Sequence, residues 1–330
     1  MALIDASGPV NDLLARQSLF GSGEDGALEV DNATVNYTGR KQYTSVTLIN
    51  FGYLEPTDNR FATLYVSGTL SIESGSQWAA DWDAAGRSGG ASRNTVGVGN
   101  MGDGIATWHI NDVVIDKIAG RSGRGAGGGG GGVTNRGGHG GPAIATQAYE
   151  YGVIAQDNGQ VGNGDNGADT STITPFANND LGYYDVAAWV GLSGAGGGGG
   201  GIDSIGTGAT TGTSGKGGNG GFGGGYLHGR IYRIEVESAG GINANARDGY
   251  DGDDATDSTN TDADCGGGGG GAGGGGGCVR ILCGFIDNPG NAQANGGTGG
   301  SGGNGVGGGG NGGDGGDGAD GIVAITEILG

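Results

Sequence analysis

The chain has 330 residues, 34% apolar and only 6% aromatic, and carries a formal charge of −20 from 35 acidic and 15 basic residues. That charge excludes a nucleic-acid partner, which needs clustered Lys and Arg, and opposes docking on anionic lipid without bridging cations. The thin apolar content argues against a large oily core, so backbone hydrogen bonding is expected to carry much of the order.

Residues 1–20 read as a docking arm. The N-terminus lacks a basic region followed by an apolar one, so it is not a signal peptide. Pro9 can open a helical turn, and Leu13, Leu14, Leu19 and Phe20 supply an apolar edge. Residues 21–118 are β-rich and of ordinary composition, and are expected to anchor and oligomerise. Strands are predicted over Ala27–Val35, Ser45–Asn50, Ala62–Val66 and Thr69–Ile72, the last two broken at Ser67-Gly68. A further pair, His109-Ile110 and Val113–Ile115, is split by Asn111-Asp112.

Glycine then takes over. Of 89 glycines only 15 lie in residues 1–118; the rest crowd into 119–330, including the runs 127–132, 196–201, 266–271 and 273–277. They alternate with apolar segments at Arg230–Val236, Cys278–Leu282 and Ile322–Ile328, which a flexible linker would not need. Collagen is excluded by five prolines and a broken triplet period. Arg230-Ile231 recurs as Arg280-Ile281 and Ala244-Asn245 as Ala294-Asn295, at a spacing of 50. Repeats of this size imply stacked units. The fold expected is mainly β plus polyglycine II: a β domain, then a glycine-rich lattice over 119–330 with almost no α-helix. No 18-residue apolar stretch is present to span a membrane.

Catalytic constellations are sparse. His109, His139 and His228 have no Ser/Asp or Cys partner pattern and read as surface or strand residues. The chain is therefore read as non-enzymatic, although a carboxylate pair within Asp248–Asp264 stays open. That acidic loop also offers Asp251, Asp253, Asp254 and Asp257 as oxygen ligands for calcium, with a solvated loop as the alternative. Cys265 and Cys278 bracket a glycine run, so a disulfide staple and free packed thiols are both open. Recognition is expected where aromatics interrupt the glycine: Tyr149, Tyr151, Tyr183, Tyr184, Trp189 and Tyr250 are the candidate receptor-binding residues.

The order Phe20-Gly-Ser-Gly-Glu-Asp-Gly, then Leu64-Tyr-Val-Ser-Gly-Thr-Leu-Ser-Ile, then the run 127–132 and Ala294-Asn-Gly-Gly resembles glycine-rich structural proteins of tailed bacteriophages. The glycine-rich half is similar in kind to polyglycine II tail-fibre-tip adhesins of T-even-like phages. The resemblance implies a virion surface protein, made in the host cytoplasm, that binds host polysaccharide or an outer-membrane protein through displayed loops. Residues 1–118 would hold other virion proteins, and identical chains would associate, a trimer first among the options. A purely structural fibre, decoration or filament subunit is the alternative it implies.

Overall fold

The computed structural model describes residues 17–57, 62–80, 88–92, 94–95, 99–102, 197–202, 212–257 and 264–329, together with two-residue strands at 109–110, 113–114, 117–118 and 189–190. After one helical turn at 17–20 the chain runs through β1 (Ala27–Asp31), β2 (Thr34–Tyr37), β3 (Arg40–Tyr43), β4 (Ser45–Ile49), β5 (Tyr53–Pro56), β6 (Thr63–Ile72) and β7 (Gln77–Ala79). Four short strands follow: β8 (His109–Ile110), β9 (Val113–Val114), β10 (Lys117–Ile118) and β11 (Trp189–Val190). The rest are β12 (Gly212–Thr213), β13 (Tyr226–Val236), β14 (Gly241–Asn243), β15 (Thr256–Asp257), β16 (Cys278–Asn288), β17 (Asn291–Gln293) and β18 (Ile322–Glu327).

Two parallel sheets organise these strands. The larger runs β1-β4-β6-β13-β16-β18, with β3 also paired to β6, and the smaller runs β17-β14-β7-β5-β2. From β1 to β2, β4 to β5, β6 to β7, β13 to β14 and β16 to β17 the chain passes from the larger sheet to the smaller, so successive turns stack. β13 pairs in parallel with both β6 and β16, and the sheet thus draws strands from both 21–118 and 119–330.

Period-two alternation builds the core. Leu64, Val66, Leu70 and Ile72 of β6 point inward and are fully buried, as are Leu227, Ile231 and Ile234 of β13. Trp78 on β7 and Leu54 on β5 meet them from the smaller sheet, and the Trp78 indole N–H donates to the Tyr37 hydroxyl at 3.1 Å. Gly229 sits beneath the Trp78 ring, and a Cβ there would lie 2.9 Å from its Cη2 atom. The glycine in the middle of β13 therefore makes room for the largest core side chain.

The predicted break at Ser67-Gly68 is absent, and β6 is one strand of ten residues. Between Val66 and Leu70 it carries one more residue than the facing stretches Tyr43–Val46 and Ile231–Ile234. Ser67-Gly68 takes up that excess, with Gly68 pressed against the Thr44 carbonyl oxygen. The 50-residue repeat is kept in β14 and β17, where Gly241 faces Asn291, but not in β13 and β16. There Arg230 lies beside Leu282, and it is His228 that faces Arg280.

The glycine segments complete the turns. Residues 295–306 donate their amides in strict rotation toward three neighbours. Asn295, Thr298, Ser301 and Asn304 donate to the side chains of Asn245, Asp248, Asp251 and Asp254 at 2.6–2.8 Å. Gly296, Gly299, Gly302 and Gly305 donate to Asp320, Asp317, Asp314 and Asn311 at 2.7–2.9 Å. Gly297, Gly300, Gly303 and Val306 donate to the carbonyls of Gly274, Gly271, Gly268 and Cys265. Every amide of the segment is thus satisfied, by backbone on one side and by Asx side chains on two. A Cβ at Gly271 would collide with the Asn219 carbonyl oxygen, which is why glycine holds that place.

This arrangement corrects the expected fold class. A polyglycine II lattice without a large apolar core is replaced by a two-sheet globular domain with long-range parallel pairing from Ala27 to Glu327. Whole-chain composition misled, because apolar residues concentrate at alternate strand positions and 23 of them, from Val30 to Ala294, form one buried cluster. A tail-fibre, fibre-tip adhesin or filament scaffold is corrected with it. The chain closes on itself through that core, through the Arg233–Asp287 ion pair at 2.8 Å and through the edge-to-face rings of Phe20, Tyr232 and Phe285.

Candidate functional site

In a chain of net charge −20, cationic side chains gather on the outer face of the larger sheet. The parallel register sets Arg40, Thr63, His228 and Arg280 side by side across β3, β6, β13 and β16. Neighbouring strands lie about 4.8 Å apart, so this row is continuous. One step along, Gln42, Tyr65 and Arg230 form a second row. The Arg40 guanidinium stands 4.3 Å from the Tyr65 ring centroid and that of Arg230 5.8 Å, one ring between two cations.

His228 is the hinge of the patch. Its ring stacks on Tyr226, with centroids 5.9 Å apart and planes 23° from parallel, and its Nδ1 lies 3.3 Å from the Thr63 hydroxyl. Burial, reinforced by the Arg280 and Arg230 charges, pushes the imidazole down to about 4. It is therefore neutral at pH 7, leaving the arginines to carry the positive charge. The arrangement can hold a carboxylate or sulfate by charge-assisted hydrogen bonds and present ring faces beside it.

Sequence reasoning missed this site. The readable signal was His228-x-Arg230 between Leu227, Gly229 and Ile231: polar and apolar positions in strict alternation, which puts both cation-capable residues on the outer face. In the sequence Arg280 stands only as a mark of the repeat. That Arg40 and Tyr65 join them depends on a pairing across more than 160 residues of sequence, Thr63 with His228.

Of the candidate receptor residues, Tyr149, Tyr151, Tyr183 and Tyr184 lie outside the described residues. Trp189 falls in β11, paired in parallel with Lys117 of β10. Tyr250 is 56% exposed on the glycine-rich flank, remote in register from the arginine patch. The acidic residues are spread rather than gathered. Asp251 and Asp254 each accept an amide of the next turn, Asp253 is exposed, and Asp257 pairs with Gly212 in a short antiparallel ladder. Among the described residues no group of three or more His, Cys, Asp or Glu could hold a metal ion. Cys265, Cys278 and Cys283 are free and buried, so no staple closes the run between the first two. Burial pushes their thiols up to about 11, 12 and 11, which keeps them protonated and unreactive. No helix among the described residues is long and apolar enough to cross a membrane.

No family model, curated protein or solved structure matches the chain. The resemblance to phage tail-fibre-tip adhesins is accordingly corrected on the fold itself: organised parallel sheets with packed tertiary contacts stand where a fibre lattice was expected.

Proposed function

We propose that this chain is a non-enzymatic binding module that holds a sparsely acidic polysaccharide on the outer face of its larger sheet. The observation that carries the reading is the row Arg40–Thr63–His228–Arg280, with Arg230 beside it over Tyr65. Three guanidinium groups supply paired donors that match carboxylate oxygens, and the half-buried Tyr65 ring between two of them sets an aromatic surface beside the charge. The overall charge of −20 selects among anions. A ligand as dense in charge as a polyphosphate is repelled by the rest of the molecule, whereas one with acids spaced by neutral sugars meets only the patch.

Titration calorimetry with hyaluronan oligomers, which alternate acidic and neutral sugars, tests this against neutral dextran. Binding to hyaluronan alone is expected, with Arg40→Ala and Arg230→Ala each weakening it about 10- to 100-fold, as loss of a charge-assisted hydrogen bond does. Equal affinity for dextran, or variants that bind like the parent chain, would overturn the reading. New reducing ends after prolonged incubation would show an enzyme instead.

A further inference from the structure

The two ends of the stacked sheet are finished differently. At the β1 end the core is closed: Val30, facing inward on the edge strand, is 1% exposed, and its neighbours Glu29 and Asp31 guard the edge with charge. At the β18 end the core is cut open. Leu227, Val279 and Val323 form one in-register column; the first two are fully buried and Val323 is 44% exposed. Ile325 continues the column of Gly229 and Ile281 and is only partly covered, and Ile328 and Leu329 lie exposed just beyond.

The backbone of β18 is equally unfinished. Ile322 and Ile328 donate to the carbonyls of Gly277 and Cys283, and β18 pairs with β16 without a register shift. Strand alternation therefore turns the amides and carbonyls of Val323, Ile325 and Glu327 the other way. Among the described residues no strand lies on that side. The stretch Ile322–Thr326 has no charge, no proline and no bulge, the usual devices that keep an edge from pairing.

We propose that β18 is a self-association strand, and that its occupant is β18 of a second copy, running antiparallel about a two-fold axis centred on Ala324. In that register Val323 of one copy faces Ile325 of the other. Both residues present outward-pointing amides and carbonyls, so the pair exchanges two hydrogen bonds. Both also belong to the inward-facing columns, so each core covers the open end of the other. A head-to-tail arrangement has no matching surface, because the β1 end is closed and acidic. The open end is complementary only to itself, and the assembly stops at two. This inference is independent of the polysaccharide reading, since the outer-face arginines take no part in it.

Sedimentation velocity on the full chain across a dilution series reads the prediction directly. A dimer is expected, and Val323→Lys, which sets a cation against the open core of each copy, is expected to halve the mass. A monomer at every concentration, a trimer, or a V323K chain that remains dimeric would overturn it. Amide exchange on the unsubstituted chain gives a second reading that no folding defect can confuse. The Val323 and Ile325 amides should be protected at high concentration and exchange on dilution, while those of Ala324 and Thr326, bonded to β16, stay protected throughout. Protection of Val323 and Ile325 that does not change with concentration would likewise overturn the interface.

Discussion

The turns of this chain are held in two ways. Over the sheets, order comes from side chains: Leu, Ile, Val and one Trp fill the space between two parallel layers. Over the glycine segments it comes from the backbone, with amides of 295–306 directed in rotation at carbonyls and at Asx side chains. The difference shows what glycine contributes. Where side chains pack, strands are kept apart by their bulk; where they are absent, main chains approach until a single methyl would not fit. From β13 onward the two share one register, because the chain passes through both between successive strands of the larger sheet.

The comparison can be broken first at Trp78. Trp78→Ala should cost about 3–5 kcal/mol in chemical denaturation, since it empties the fully buried centre of the sheet half and orphans the Tyr37 hydroxyl. Loss of the glycine half alone, with the sheets intact, would show that the two are not coupled.

Acid is the next lever, and it acts on the sheet half. His228 is held at about 4 in the fold against 6.5 when unfolded, so the unfolded state binds more protons between those values. Stability is unaffected above pH 6.5, falls as the pH drops toward 4 and levels off below it, by up to about 3 kcal/mol. His228→Gln should flatten that part of the stability–pH curve, and an unchanged slope would assign it to other groups.

Gly271→Ala probes the other half without touching the apolar core. The added methyl meets the Asn219 carbonyl, and a loss of about 1–3 kcal/mol is expected, the usual cost of overpacking. A neutral result would mean that the segments can move apart freely. The smallest effect separates two adjacent acids. Asp254→Ala removes the acceptor of the Asn304 amide, at 2.6 Å, and should cost about 1 kcal/mol. Asp253→Ala, whose side chain accepts none of these amides, should be silent in the same melting experiment.

How much of this was legible in sequence differs element by element. The runs 45–50, 230–236 and 322–328 were readable from their β-forming residues and overlap the strands Ser45–Ile49, Tyr226–Val236 and Ile322–Glu327, although the first four residues of the second strand were not read. Gly241–Asn243 and Asn291–Gln293 were not, being three-residue strands whose only signature is the strand beside them. The acidic loop was readable as acidic, but not as a ladder. The three-residue spacing of Asp248, Asp251 and Asp254 was present in the sequence and acquires meaning only when the amides of Thr298, Ser301 and Asn304 are brought opposite. The arginine patch was least legible, because Arg40 and Arg280 are 240 positions apart and register alone aligns them.

The sequence by itself determined that β-forming runs such as 45–50, 230–236 and 322–328 become strands and that glycine would fill the stretches between; those are local consequences of side-chain size and period. Only the tertiary structure decided that a thinly apolar chain owns one contiguous core, that the 50-residue repeat slips in one sheet and holds in the other, and which end of the stack stays open. Those outcomes depend on pairings between distant strands. Their register is fixed by the fit of whole faces, Trp78 beneath Gly229 among them, and no window of local sequence contains that fit.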